Sequence, residues 1–222
     1  RAGTGKTKET GECQGQRSGN PGKFEMKIGL IALSTDLTIE RDFHKYCSHE
    51  VYTTRIIFKN PLTPENLSLL QDQIKDAKLR FPFEMDRYVF GCTSGTAVIG
   101  EDNVQGCLNP LSSCLSWLQK NNKNELSLLT PYPKDVHEAV KGWFIKKDVK
   151  VVNDMLLDYS SDIDIANINR QELVEKVSSL GQGIVFSSCT ALPMMDIINS
   201  LQKNNWLSSN QAMIWQLQNE NN

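Results

Sequence analysis

Beyond its first 25 residues, the chain alternates between two patterns of apolar and polar positions. Short apolar runs of strand length occur at residues 28–33, 51–58 and 88–90. Between them, apolar residues recur at helical spacing, as Ile39, Phe43 and Tyr46 do on one predicted face. A second helix is predicted to begin at Thr63 and Pro64, a hydroxyl N-cap followed by proline. Strands alternating with helices predict an α/β fold, with parallel sheet and helices packed on both faces.

The same order of elements recurs in the second half of the chain. Apolar runs at 126–129, 149–152 and 183–186 alternate with two predicted helices, one starting at Pro133 and one capped by Asn169. Equivalent landmarks keep a nearly constant separation, since Leu33 and Leu129 lie 96 residues apart and Cys92 and Cys189 lie 97 apart. Loop lengths differ, but the shared order indicates an internal duplication.

Charge and composition limit the classes of partner that we expect this protein to bind. Lys and Arg number 24 against 26 Asp and Glu, a formal net charge of −2. Such a chain has no net field to hold nucleic acid or an anionic membrane surface, so we expect a small-molecule partner. No apolar stretch is long enough to span a bilayer, and no apolar signal-peptide core is visible near the start. We therefore expect a cytoplasmic protein.

Neither the N-terminal segment nor the cysteine spacing indicates a bound nucleotide or metal. Residues 1–25 are rich in Gly, Gln, Ser and Lys, which predicts a disordered tail. Its Gly-Lys-Thr triplet lacks the other parts of a phosphate loop. Six cysteines are present without a CxxC pair, which argues against a zinc site and favours reduced thiols. We expect no metal and no cofactor.

Two of the cysteines occupy equivalent positions. Cys92 and Cys189 each follow a predicted strand, and ligands of open α/β sheets bind beyond the carboxyl ends of the strands. Hydroxyl residues follow both, Thr93 and Ser94 in one half and Thr190 in the other. These turns are predicted to lead into helices, whose N-termini would favour a carboxylate and lower the pKa of each thiol.

Two facing thiols suit two related reactions on a small carboxylate. In racemisation, one thiolate removes the proton next to the carboxylate and the opposite thiol returns one. In cis–trans isomerisation, one thiolate adds to a double bond, rotation follows, and the thiolate is expelled. Either reaction needs one thiolate and one thiol, so we expect a coupled titration and a bell-shaped pH profile.

Three segments carry a resemblance to a known family. They are YVFGCTSGT at 88–96, LTPY at 129–132 and SSCTAL at 187–192. They resemble the Asp/Glu racemase superfamily, in its maleate isomerase and arylmalonate decarboxylase branch. Residues 28–43, 54–67 and 209–215 are similar to the ectoine-utilisation proteins of that branch, and the matches span nearly the whole chain after the tail.

The resemblance implies two Rossmann-like lobes related by a pseudo-twofold axis, with the active site in the cleft between them. We predict a first lobe at 26–105, a second at 106–205, and a final segment, 206–222, that returns to the first. Trp206 and Trp215 in that segment are consistent with a homodimer contact.

The resemblance also implies roles for single residues. Cys92 and Cys189 would be the acid/base pair or nucleophile. Substrate-binding roles are expected for Asp36, Thr93, Ser94, Tyr132 and Thr190. Asp36 takes the position of an asparagine that holds a carboxylate in maleate isomerases, which favours a substrate with an amine or amide over a maleate-like diacid.

Other readings stay open at this point. Asp36 and the hydroxyl residues fit equally as helix caps, and Tyr132 as a packed turn residue. Residues 97–108 are short for a helix, a turn and a strand, which puts the Cys92 site in doubt. The alternatives to a racemase or isomerase, with a substrate of the amino-acid or dicarboxylate type, are a decarboxylase or lyase using Cys189 alone and a non-catalytic small-molecule binding protein.

Overall fold

The computed structural model describes residues 26–219, so the predicted N-terminal tail lies outside the described residues. The first half of this part contains three strands. They are β1 (Lys27–Leu33), β2 (Glu50–Ile56) and β3 (Arg87–Gly91). Its helices are α1 (Ile39–Tyr46), α2 (Pro64–Ser68), α3 (Gln71–Lys78), α4 (Thr93–Ile99) and α5 (Pro110–Lys120), with a short 3-10 helix at Glu101–Asn103. The strands form one parallel sheet in the order β2-β1-β3.

The second half repeats this arrangement with one more strand. Its strands are β4 (Glu125–Thr130), β5 (Lys150–Leu156), β6 (Val185–Ser187) and β7 (Trp206–Ser208). Its helices are α6 (Lys134–Lys146), α7 (Asp162–Ala166), α8 (Arg170–Ser179), α9 (Met194–Leu201) and α10 (Ser209–Asn219). The second sheet is also parallel, in the order β5-β4-β6-β7. The predicted α/β fold, with two parallel sheets flanked by helices, is confirmed.

The two sheets share one topology. In each, the first strand of the half lies between the second and the third, which places β3 and β6 in equivalent positions. The fourth strand of the second half, β7, corresponds in the first half to a single parallel bridge between Val89 and Leu108. Leu108 still exchanges two backbone hydrogen bonds with β3, to the carbonyl of Tyr88 and from the amide of Phe90. Because the segment before α5 is short, the counterpart of β7 in the first half is reduced to this single bridge.

The halves share their core. One apolar cluster contains buried residues of both sheets, Ile31 and Phe90 from the first and Leu128 and Phe186 from the second. Another covers the opposite face of the first sheet, where α1 packs with α10. The C-terminal helix thus covers the first sheet although β7, directly before it, pairs within the second. The lobe boundaries proposed from the sequence stay a prediction.

Three details of the predicted elements were wrong. The helix expected from Thr63 is two helices, because the Leu70 amide bonds to the Leu67 carbonyl and interrupts the α-helical ladder. β2 ends at Ile56 rather than at residue 58, because the Phe58 amide instead donates to the Ser34 hydroxyl. The strand predicted at 149–152 is β5, which continues to Leu156.

None of the helices between residues 26 and 219 has the length and apolar character needed to cross a membrane.

We expect the α10 contact to be a major source of stability. Leu217 is 1% exposed in the cluster under α10, so Leu217→Ala should lower the free energy of unfolding by about 3 kcal/mol. Leu79→Ala is the matched control, since Leu79 is 79% exposed, and it should cost less than about 0.5 kcal/mol. Urea unfolding of both variants checks this, and equal losses would contradict it.

Candidate active site

Asp36 lies in the loop between β1 and α1, and its side chain turns back onto the helix. Its Oδ1 accepts the backbone N–H groups of Thr38 and Ile39 at 2.8 and 2.9 Å. Asp36 is not the N-cap residue itself, which is Thr38, but its side chain satisfies the N–H groups at the start of α1. Burial raises the pKa of the Asp36 carboxyl, although these N–H bonds, the Thr190 hydroxyl and the charge of Arg55 oppose the rise.

Cys92 joins β3 to α4 and occupies the N-cap position of that helix. Its sulfur accepts the Gly95 backbone N–H at 3.2 Å and lies 3.5 Å from the Ser94 hydroxyl oxygen. Glycine is needed at position 95, because a Cβ there would stand only 2.9 Å from the Cys92 sulfur. The thiol is thus held by the first turn of α4, with the Gly95 N–H as a donor and the Ser94 hydroxyl beside it.

Cys189 follows β6 but does not begin a helix. Residues 190–193 form a turn, and α9 starts only at Met194. The prediction that both cysteines lead directly into a helix is therefore right for Cys92 and wrong for Cys189. The Tyr132 hydroxyl and the Ala191 backbone N–H lower the pKa of Cys189, although burial outweighs them.

Tyr132 lies within electrostatic range of both thiols. It lies in the turn between β4 and α6, which is fixed by backbone bonds from Leu157 to Thr130 and from Tyr159 to Pro131 at 2.9 and 2.7 Å. The side chain is 1% exposed, and its hydroxyl interacts electrostatically with both Cys92 and Cys189. The two predicted thiols themselves lie in hydrogen-bonded segments, since Thr190, next to Cys189, donates to the carbonyl of Gly91, next to Cys92.

Asp162 is a member of this cluster that sequence reasoning missed. It begins α7, is buried, and accepts a hydrogen bond from the Thr35 hydroxyl at 2.5 Å. Its negative charge raises the pKa of both Cys92 and Cys189. Burial, with a further contribution from the Asp36 carboxylate, raises the pKa of Asp162 to about 6. The signal that could have found it is positional, because it follows the carboxyl end of β5 as Asp36 follows that of β1.

The other predicted hydroxyl residues are buried around the same centre, where they also join the two halves. Thr93 Oγ1 lies 2.9 Å from the hydroxyl of Ser209 at the start of α10. Thr190 Oγ1 donates to the Gly91 carbonyl at 3.3 Å and lies beside Asp36. Of the three, Ser94 is the one in contact with a thiol. Their contact with substrate stays a prediction.

The thiols are harder to ionise than expected. Burial, with smaller contributions from the carboxylates of Asp162 and Asp36, raises the pKa of Cys92 to about 12. The same causes raise the pKa of Cys189 well above its usual range. The sequence predicted lowered thiol pKa values from nearby helix N-termini. That prediction was wrong, because the loss of hydration outweighs the Gly95 and Ser94 donors at Cys92.

The site is closed in this structure. Cys92 and Cys189 are 2% and 3% exposed, and Asp36 and Asp162 are equally inaccessible. The loops after β2 and β5 bond to each other beside Asp162, where the Leu62 amide donates to the Ser160 carbonyl at 2.8 Å.

The Asp162 carboxyl predicts a specific pH dependence of stability. Because its pKa is raised in the folded state, folding favours the protonated form, and stability falls as pH rises from about 4 to above 6. The fall attributable to Asp162 is about 3 kcal/mol. Asp162→Asn should remove it and should be more stable than the unaltered protein at pH 7.5. Urea unfolding at pH 4.5 and 7.5 measures this.

Asp164→Asn is the matched control, because Asp164 lies exposed on the same helix. It should leave the pH dependence unchanged. Parallel pH profiles of the Asp162 variant and the unaltered protein would contradict the assignment.

Comparison with known proteins finds similarity in structure alone. No protein-family model matches the chain, and no curated protein sequence matches it. Among solved structures, the chain is similar to maleate cis-trans isomerase from Nocardia farcinica, in a mutant with a covalently bound succinylcysteine intermediate. The TM-score is 0.76 and the identity 16%, over 86% of this chain and 91% of that chain.

Two further enzymes have similar structures. Maleate isomerase from Pseudomonas putida has a TM-score of 0.71 at 16% identity, over 86% of this chain and 91% of that chain. A liganded mutant of arylmalonate decarboxylase has a TM-score of 0.63 at 15% identity, over 86% and 90%. At these identities the likeness establishes the fold, which the chain shares with maleate isomerases and arylmalonate decarboxylase.

Proposed function

We propose that this protein is a cofactor-independent racemase or cis–trans isomerase of a small carboxylate, with Cys92 and Cys189 as its reacting groups. One observation carries the proposal. Two thiols after equivalent strands, one in each half, are buried; their neighbours Thr190 and Gly91 are hydrogen-bonded, and both thiols lie within electrostatic range of Tyr132, Asp36 and Asp162. Packing alone requires no such convergence of ionisable groups, whereas proton transfer to both faces of one carbon does.

The surroundings of the two sulfurs support different roles in the first turnover. Cys92 receives the Gly95 N–H and lies beside the Ser94 hydroxyl, both of which stabilise a thiolate. Cys189 begins no helix, so its sulfur lacks the helix N-terminus that lies at Cys92. We assign Cys92 as the base or nucleophile and Cys189 as the proton donor.

In racemisation, the Cys92 thiolate takes the proton from the carbon next to the carboxylate. The bonding electrons move into the carboxylate as an enediolate, and Cys189 delivers its own proton to the opposite face. The enzyme is then left with a Cys92 thiol and a Cys189 thiolate, and it runs in reverse for the other enantiomer.

In isomerisation, the Cys92 thiolate forms a carbon–sulfur bond while the carbon–carbon π bond breaks. Cys189 protonates the resulting carbanion, rotation follows about the new single bond, and the steps reverse to expel the thiolate. The covalent succinylcysteine of the Nocardia farcinica enzyme is chemistry of this type in a protein of the same fold.

A second candidate function is decarboxylation, supported by the similarity to arylmalonate decarboxylase. In that case Cys189 alone would protonate the enediolate left after loss of carbon dioxide. We rank it lower, because by the sequence resemblance the decarboxylases of this branch carry glycine in place of Cys92. The ectoine link, the cytoplasmic location and the homodimer stay predictions from the sequence.

Deuterium exchange separates the candidates. The protein is incubated in deuterated water with maleate, phenylmalonate and a panel of α-amino acids, and recovered substrate and product are analysed by mass spectrometry. A racemase labels recovered substrate next to its carboxylate, and a decarboxylase labels product alone. Cys92→Ser and Cys189→Ser should each lower turnover at least about 1000-fold.

Cys47→Ser is the matched control, since Cys47 lies half-buried at the end of α1, outside the cluster. It should retain full turnover. If Cys92→Ser keeps turnover while Cys189→Ser loses it, the two-thiol mechanism is wrong and the single-thiol reaction stands. If the protein binds a small carboxylate without turnover, it is a binding protein.

The raised thiol pKa values predict the pH profile of kcat/KM, which reports the free enzyme. With the pKa of Cys92 at about 12, the thiolate fraction rises tenfold per pH unit below it. We expect log kcat/KM to rise with a slope near one between about pH 7 and 9. Only this rising limb of the bell is accessible, and a plateau that begins near neutral pH would contradict the assignment.

A further inference from the structure

A buried histidine that the proposed reaction does not use is bonded to the turn that carries Tyr132. His137 lies on α6, is 1% exposed, and has a partner at each ring nitrogen. Its Nδ1 lies 2.8 Å from the Thr130 hydroxyl oxygen, and its Nε2 lies 2.9 Å from a carboxylate oxygen of Asp154. An apolar side chain would fill this space without needing either partner, so packing alone does not explain a histidine here.

The direction of these hydrogen bonds follows from Asp154. Lys141, one turn further along α6, donates to the other Asp154 oxygen at 2.8 Å, which lowers the pKa of this carboxyl and keeps it ionised. An ionised carboxylate only accepts hydrogen bonds, so Nε2 of His137 donates to it. In the neutral imidazole Nδ1 is then the acceptor, and the Thr130 hydroxyl donates to it. The carboxylate therefore orients the ring, and the ring orients the hydroxyl.

The network acts on the turn between β4 and α6. Thr130 is the last residue of β4 and stands two residues before Tyr132. The backbone carbonyls of this turn accept the amides of Leu157 and Tyr159, which follow β5, the strand that carries Asp154. One neighbouring strand thus holds the turn both through its backbone and, by way of α6, through the Thr130 side chain.

The first half of the chain contains an equivalent network. Arg55 on β2 pairs with Glu40 on α1 at 2.7 Å, and it donates to the backbone carbonyls of Leu33 and Asp36 at 2.8 and 2.9 Å. Asp36 and Tyr132 lie 96 residues apart, which is also the separation between equivalent residues of β1 and β4.

Both halves therefore use the same arrangement with different side chains. A polar side chain of the second strand and one of the first helix together hold the turn that follows the first strand. In each half, that turn carries a residue that the sequence predicts to bind substrate, Asp36 in one and Tyr132 in the other. The recurrence of this arrangement is independent of the bond lengths at His137, and it indicates that the placement of these turns matters.

We infer that His137 is a positioning residue, which fixes the Tyr132 hydroxyl for the reaction by holding Thr130 on the Asp154 carboxylate. The inference rests on the proposed function, with Tyr132 as a predicted donor to the substrate. Both nitrogens of His137 are engaged within the protein, so it acts on the reaction through the turn. Because a fixed donor stabilises the enediolate more than the substrate carboxylate, its effect falls on kcat more than on KM.

Two substitutions of His137 test this inference. His137→Gln keeps an acceptor for Thr130 and a donor for Asp154, whereas His137→Leu removes both. Turnover is followed in deuterated water with maleate, phenylmalonate and the α-amino acids. We expect His137→Leu to lower kcat about 100-fold with KM nearly unchanged, because a misplacement of about 1 Å suffices for such a loss. His137→Gln should retain most of the activity.

A double variant and a matched control separate positioning from general stability. Thr130→Val removes the hydroxyl and keeps the shape of the side chain. If the two residues act as a unit, Thr130→Val combined with His137→Leu should lose no more activity than His137→Leu alone. His49→Leu is the control, because His49 is also buried and bonds to the Leu217 carbonyl at 3.1 Å, but lies just before β2, at the opposite edge of the sheet. It should lower Tm and leave kcat unchanged.

Crystal structures of the two His137 variants decide the question without any turnover. The Tyr132 hydroxyl should be displaced by about 1 Å or more in His137→Leu and should keep its position in His137→Gln. The inference is overturned if the hydroxyl keeps its position in His137→Leu, if that variant has an unaltered kcat, or if the two variants lose activity equally.

The thiol variants keep this test separate from that of the proposed function. If Cys92→Ser and Cys189→Ser abolish turnover while His137→Leu changes neither kcat nor the position of the hydroxyl, the positioning role is wrong and the two-thiol reaction stands. If His137→Leu displaces the hydroxyl and lowers kcat while both thiol variants retain turnover, the positioning role is right and the two-thiol reaction is wrong.

Discussion

Loss of hydration dominates the chemistry of this protein. Cys92, Cys189, Tyr132, Asp36 and Asp162 are each at most 3% exposed and lie within electrostatic range of one another. For each, burial is the largest influence on the pKa, and it favours the neutral form. Removing a charge from water costs several kcal/mol unless a partner compensates for it. The free site therefore disfavours the thiolate that the proposed reaction needs, and the substrate must supply part of the compensation.

The duplicated fold explains how such a cluster is assembled. Each half brings the end of a sheet strand to the same centre, and side chains of one half bond to the backbone of the other. Thr38 donates to the Ala191 carbonyl at 2.8 Å, and Thr190 donates to the Gly91 carbonyl at 3.3 Å. Asn210, at the start of α10, donates both to the Thr190 carbonyl and to buried Asp42 at 2.9 Å. These contacts fix the two thiols relative to each other without a direct bond between them.

The positions of the site residues were largely predictable from the sequence, whereas their energetics were not. The rule that ligands bind at the carboxyl ends of parallel strands selected Cys92 and Cys189, and in the structure their neighbours Gly91 and Thr190 are hydrogen-bonded to each other. The sign of the thiol pKa shifts was predicted wrongly. A helix terminus is a local feature that sequence displays, whereas burial depends on how every surrounding segment packs.

Two other differences have the same origin. Asp162 begins a helix of only five residues in a polar stretch, which is too short for helical periodicity to show in the sequence. Its place near the thiols becomes visible only once the segments that follow β1 and β5 are packed together. The single helix predicted from Thr63 divides at Leu69 and Leu70 because a turn there buries Leu70 while Leu69 points outward. In both cases tertiary contacts override the local pattern.

The most direct test of this account is the ionisation of the two thiols themselves. Thiolate absorbance near 240 nm is titrated in the unaltered protein and in the double variant Cys92→Ser, Cys189→Ser, and the difference isolates the site. We predict that this difference stays flat from about pH 6 to about pH 10, because burial and the two carboxylates keep both thiols protonated. A thiolate that appears below about pH 9 would contradict the account, since the free site would then ionise its cysteines without help from a substrate.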